Sequence, residues 1–148
     1  MKDEKKGSDD EKFTVWIAGI IFDPSKKKIL IWKREKQGHE WIDKELPKFT
    51  WGFIGGRAKH GEDVDKTLKG FVKERTGLSV SNLGAIFAKT FPENKSLITI
   101  YFLCESFEGK LTKGKGVAEL KWVSPEELEK HFTTSFHPRL KEYLMNLK

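Results

Sequence analysis

The stretch Gly55–Val80, GGRAKHGEDVDKTLKGFVKERTGLSV, constrains the fold more than any other part of the chain. It follows directly on a short aromatic run, Phe49–Ile54, which has the composition of a strand. Asp63 then stands where a helix N-cap belongs, and Val64, Leu68, Phe71 and Val72 recur at helical spacing on one face. Gly77 sits where a C-cap glycine belongs. The segment predicts a strand, a paired-glycine connection and one amphipathic helix over Asp63–Arg75.

The flanking sequence reads mainly as strands. Phe13–Phe22 is rich in β-branched and aromatic residues, Asp23-Pro24-Ser25 supplies a turn, and Ile29–Trp32 completes a hairpin. From Glu35 to Lys48 the chain is polar and irregular, with Gly38, His39, Trp41 and Pro47; so long a connection is functional or mobile. Further strands are expected at Val80–Lys89, Leu97–Glu105 and Ala118–Val123. Ser124-Pro125-Glu126-Glu127 has a capping serine, a proline at the first helical position and acids in the first turn, the signature of a helix start. A final amphipathic helix carries Leu140, Tyr143, Leu144 and Leu147. Strands interrupted by one central and one late helix point to an α+β or α/β sandwich.

At 148 residues the chain suits one domain, expected over 13–148 and preceded by a disordered charged tail, 1–12. That tail lacks the basic start and apolar stretch of a signal peptide, and no apolar run approaches the roughly 18 residues of a membrane span. A cytoplasmic protein with no membrane partner is the expectation. The net charge of +6 favours anionic partners such as nucleotides, phosphates or RNA, or else reflects a lysine-rich solvated surface. Cys104 is the only cysteine, which excludes an internal disulfide, and its place in the apolar run Leu97–Cys104 reads as a buried inert thiol. No nucleophile elbow, phosphate-loop lysine motif, paired cysteines or histidine pair of metal-ligand spacing occurs, so those catalytic families find no support.

Gly56 is followed after five residues by Glu62, and Gly70-Phe71-Val72-Lys73-Glu74-Arg75-Thr76-Gly77-Leu78 forms a second block seven residues further on. This spacing resembles the box of the Nudix (MutT-like) hydrolases from end to end. Trp51-Gly52-Phe53-Ile54 stands where that family has an aromatic strand, and Leu120–Leu128 (LKWVSPEEL) resembles its late strand and capped helix. The resemblance runs from about Phe13 to the C-terminus. It implies an α/β/α sandwich in which a mixed sheet carries a central box helix and C-terminal helices. It also implies cleavage of a diphosphate linked to another moiety, with Mg²⁺ or Mn²⁺ neutralising the phosphates and activating water. In the family one helix supplies metal-binding glutamates at i, i+3 and i+4, positions that share a face. Here those positions are Phe71, Glu74 and Arg75, and the family's arginine is Gly70. Across Gly55–Val80, Arg57, Lys59, Lys66, Lys69, Lys73 and Arg75 outnumber Glu62, Asp63, Asp65 and Glu74.

The candidate residues follow from this pattern. Glu74, Glu62 and Glu119 are the candidate catalytic carboxylates, the last either a substitute base or a solvent-facing acid. Glu74 and the carbonyl of Gly55 are the candidate metal ligands. Arg34, Trp41, Arg57 and Arg75 are the candidate substrate contacts. Trp41 either stacks on a base or anchors its own loop, and Arg34 either meets a phosphate or forms an ordinary surface pair. Arg75 either offers a guanidinium fork to a diphosphate in place of a metal, or pairs with a nearby acid or stacks on Phe71. Glu105 and Glu108 flank a strand end and are further acids for the site. The expected function is a Nudix-fold domain that binds a nucleoside diphosphate-linked ligand with weak or lost metal-dependent pyrophosphohydrolase activity. The alternative is an active Mg²⁺- or Mn²⁺-dependent hydrolase with a rearranged carboxylate set; RNA binding through the basic surface is a third reading. Relatives that pair through sheet edges make a homodimer a further expectation.

Overall fold

Burial on both faces marks the first strand as central. In β1, Thr14–Asp23, Ile17 and Ile21 join one apolar cluster while Ala18, Ile20 and Phe22 join another, which places helices on either side of the sheet. The computed structural model describes residues 12–35, 51–92, 94–132 and 137–147. The expected tail (but for Lys12), Trp41 and most of its loop lie outside the described residues, as do Phe49 and Thr50 of the expected aromatic strand.

The elements after β1 are β2 (Lys28–Arg34), β3 (Trp51–Arg57), α1 (Val64–Thr76), β4 (Leu78–Phe91), β5 (Asn94–Gly109) and β6 (Val117–Val123). A 3₁₀ turn, Pro125–Glu127, then leads into α2 (Leu128–His131), and α3 (Pro138–Met145) follows. The six strands form one mixed sheet in the order β4-β5-β1-β3-β2-β6. β1 and β5 run parallel; the other pairs are antiparallel. On one face Leu68 and Val72 of α1, both at 0% exposure, pack over Ile17, Ile21, Leu30 and Ile54. On the other, Leu128, Leu140 and Leu144 cover Ala18, Ile20, Ile29 and Phe53. Each fully buried aliphatic side chain contributes about 1.5–3 kcal/mol, so both helical layers are bound to the sheet chiefly by these contacts. This is the expected α/β/α sandwich with its mixed sheet. Among the described residues no helix is long and apolar enough to cross a membrane.

β3 positions the box. Trp51–Phe53 pair antiparallel with β2, and Ile54–Arg57 pair antiparallel with β1. Because β1 and β2 are antiparallel to each other, β3 has to change direction between Phe53 and Ile54. The sequence places the strand's end at Ile54; instead, pairing with β1 carries it through both glycines to Arg57. A Cβ at Gly55 would stand 2.1 Å from the Ile17 carbonyl oxygen, so only glycine allows this approach of backbone to backbone.

α1 obeys its sequence at both ends. The Asp63 carboxylate accepts from the Lys66 N–H at 3.2 Å, and Gly77, at φ 78°, donates its N–H to the Lys73 carbonyl at 2.9 Å. Thr76 Oγ1 donates to the Val72 carbonyl at 2.6 Å and accepts from the Leu78 N–H at 3.1 Å, joining the helix to β4. Elsewhere the expected elements change. β4 and β5 extend beyond their apolar centres because backbone pairing continues along the hairpin through several register shifts. Ser124 makes no side-chain cap, and Pro125 starts a 3₁₀ turn before the four-residue α2. On α3 only Leu140 and Leu144 are buried, while Tyr143 is exposed and Leu147 lies past the helix end. Cys104 is buried, as expected, and burial pushes its thiol pKa up to about 12, which leaves it protonated and unreactive.

Candidate functional site

An open cleft of about 510 Å³ lies where the end of β3 meets α1. Trp16, Gly56, Arg57, Lys59, Phe71 and Arg75 line it, with His60 at its side. Its floor follows from the helix stripe. Phe71 points inward with Leu68 and Val72, is 7% exposed, and presses against Gly56, where a Cβ would stand 2.8 Å from the ring. The position that a metal-binding glutamate occupies in the resembled box is therefore part of the core.

Arg75 lies one turn further along α1. Its guanidinium carbon is 4.7 Å from the centroid of Phe71 and 5.1 Å from that of Trp32. Its Nη1 also approaches Glu74 Oε1 at 3.4 Å, but Glu74 is 67% exposed and Arg75 21%. An ion pair so exposed contributes about 0–1 kcal/mol, whereas a partly desolvated cation over an aromatic face contributes up to about 2 kcal/mol. The rings therefore orient the guanidinium, and the carboxylate follows it. Both sequence-level alternatives for Arg75, a neighbouring acid and a stack on Phe71, occur together. Lys59 Nζ stands 5.7 Å from the same Phe71 centroid.

The candidate carboxylates do not converge. Glu62 accepts a hydrogen bond from Thr67 Oγ1 at 2.7 Å and so braces the first turn of α1. Glu119 pairs in register with Lys33, as Lys121 does with Ile31 and Val123 with Ile29. Ile31, Ile29 and Val123 belong to the cluster under α2 and α3, so Glu119 projects from the face opposite α1. Glu105 and Glu108 pair with Ser81 and Ser79 on β4, and both are exposed. Among the described residues no three His, Cys, Asp or Glu side chains gather as a metal site requires. Hard divalent cations need several oxygen ligands. An exposed Glu74 tied to Arg75, above a buried Phe71, does not fit that need.

The other expected residues divide. Arg57 reaches the cleft. Gly55 is buried in the sheet, held against β1. Arg34, 8% exposed, shares the α1 side of β2 with Trp32 and stands beside Val117 across the register. Trp41 lies outside the described residues. Sequence reasoning missed Trp16, Trp32 and Lys59. A buried tryptophan in a strand reads as core, and one lysine among many reads as surface; only the fold brings Trp16 and Lys59 to the cleft and Trp32 to the Arg75 guanidinium.

Comparison with known proteins agrees with this architecture. The family model for the NUDIX domain matches residues 12–145. No curated protein sequence matches the chain. Among solved structures, a MutT studied from Aliivibrio salmonicida and Vibrio cholerae is similar at 23% identity and TM-score 0.66, covering 90% of this chain and 98% of that one. A MutT protein from Methanosarcina mazei Go1 is similar at 17% identity and TM-score 0.68, covering 90% and 91%. An ADP-ribose pyrophosphatase from Streptococcus suis is similar at 17% identity and TM-score 0.59, covering 76% and 75%. At such identities the likeness is one of fold.

Proposed function

Because this chain belongs to the Nudix family, whose hydrolases act on nucleoside diphosphate derivatives with divalent metals, we propose that it binds a nucleoside diphosphate-linked ligand at the cleft and hydrolyses it weakly or not at all. The observation that carries this reading is the stack of Arg75 on Phe71 and Trp32 at the positions where the resembled box has carboxylates. A guanidinium stays charged at any physiological pH and repels a second cation. Glu74 alone leaves too few oxygens for Mg²⁺ unless the ligand itself supplies most of them. The rearranged-carboxylate alternative requires Glu62, Glu74 and Glu119 to meet. The Thr67 contact of Glu62 and the register of Glu119 with Lys33 both favour the first reading.

The test is turnover of ADP-ribose, dinucleoside polyphosphates and nucleoside triphosphates with Mg²⁺ or Mn²⁺, beside an EDTA control and Glu74→Gln. We expect no metal-dependent product above the mutant, on protein shown to be folded. Products that vanish in EDTA and in Glu74→Gln would establish an active hydrolase and end this reading. Affinity for long RNA that falls steeply with salt, without affinity for mononucleotides, would move the function to the basic surface instead.

A further inference from the structure

We infer that the cleft beside Phe71 is a metal-independent site for a diphosphate group, in which Arg57, Lys59 and Arg75 supply the positive charge. This deepens the reading above and rests on it, because it takes the cleft as the place where the ligand sits.

Among the described residues the lining carries Arg57, Lys59 and Arg75 and no carboxylate residue; Glu74, whose Oε1 lies 3.4 Å from Arg75 Nη1, is outside it and mostly exposed. These cations are gathered rather than scattered. Lys59 Nζ and the Arg75 guanidinium border one Phe71 ring, at 5.7 and 4.7 Å from its centroid, and that ring is 7% exposed. Like charges drawn to one concave, partly apolar surface repel each other and raise the local concentration of anions. Three protein cations can offset the charge of a diphosphate without a bound metal. Arg75 is also held in place: its guanidinium carbon lies over both the Phe71 and the Trp32 rings, so less freedom is lost when its fork meets phosphate oxygens. Gly56 adds a floor without a side chain, and Phe71 leaves no space there for one.

The arrangement reverses the usual sign of metal dependence. Mg²⁺ complexed to the ligand removes the charge that the three side chains recognise, so added metal weakens binding. A monophosphate spans a shorter distance and cannot meet all three side chains at once, so it binds less tightly than a diphosphate.

The experiment is calorimetric titration of the full chain with ADP-ribose, AMP and inorganic pyrophosphate, in EDTA and in excess Mg²⁺ at constant ionic strength. ADP-ribose and pyrophosphate should bind in EDTA, with AMP weaker by about 10-fold, the loss expected for one charge-assisted contact set. Excess Mg²⁺ should lower both affinities. Lys59→Ala and Arg57→Ala alter exposed side chains and leave the core intact; each should weaken pyrophosphate binding by about 3- to 10-fold. Arg75→Lys keeps the charge but loses the fork, and should cost at least as much. Arg139→Ala, on α3, should change nothing.

Binding that appears only with Mg²⁺, or pyrophosphate affinity in EDTA indifferent to both Lys59→Ala and Arg75→Lys, would overturn the inference. Failure of all ligands to bind in EDTA would do the same. The reading on which it rests fails separately. Pyrophosphate that binds in EDTA while ADP-ribose does not would support the anion site and remove the nucleotide. Metal-dependent turnover with undiminished binding in EDTA would support the site and restore hydrolysis.

Discussion

The ends of α1 and the face that its last two turns present to the cleft make different uses of one helical geometry. At the ends, Asp63 and Gly77 satisfy backbone groups that any helix leaves open, and between them Leu68 and Val72 bury a stripe against the sheet. These roles depend on spacing, and the spacing matches the family box. Over the last two turns, Phe71, Glu74 and Arg75 keep the geometry of a shared face but carry a buried ring, an exposed acid and a cation over that ring. A change of side chain there leaves the helix intact and alters what the face can hold. Fold and chemistry are thus separable within thirteen residues of helix.

The strongest way to break the comparison is to remove the ring. Phe71→Ala deletes a buried aromatic that touches Gly56 and carries both Lys59 and Arg75, and should cost about 3–5 kcal/mol by the usual penalty for emptying an aromatic core site. Denaturant unfolding measures it. A loss below about 1 kcal/mol would show that the site collapses without strain and that Phe71 is a surface residue in effect. Next come the caps. Gly77→Ala places a Cβ 2.5 Å from the Lys110 carbonyl oxygen at a positive φ, and should cost about 2 kcal/mol or more. Asp63→Ala removes one capping acceptor and should cost about 1 kcal/mol. If Glu74→Gln proved as costly as either cap, the separation of fold from chemistry would be lost.

Much of this helix was legible because caps and apolar stripes are local signals. Asp63, Gly77, Leu68 and Val72 could be placed from spacing alone. The change of direction in β3 was not, since it arises from pairing with two strands that are far apart in the sequence. Glu119 shows the same limit. Alternation along β6 tells which residues share a face, but only the register with β2 tells which face looks toward α1. Ser124 has the right residue for a cap, yet the chain turns as 3₁₀ and its hydroxyl makes no cap bond. The candidate site divided in the same way. Arg57 and Arg75 reach the cleft, whereas Trp32 could not be told from core and Lys59 could not be told from the other surface lysines.

The smallest effect probes a position of the box that neither packs nor binds. Gly70 stands in the interior of α1 where the resembled box has an arginine, and a Cβ there would meet nothing within 4 Å. Its backbone is helical, so glycine gains nothing from its freedom and loses entropy on folding. Gly70→Ala should therefore stabilise the chain by about 0.5–1 kcal/mol. Pyrophosphate affinity should not change, because Gly70 does not line the cleft. Both results together would mean that the position where the resembled box has an arginine carries no packing or binding task in this chain. A destabilised Gly70→Ala would mean that another part of the chain packs onto the helix at that point. A stabilised variant with altered affinity would instead tie the stiffness of this part of α1 to the setting of Arg75, and the helix would then serve the cleft through its backbone as well as its side chains.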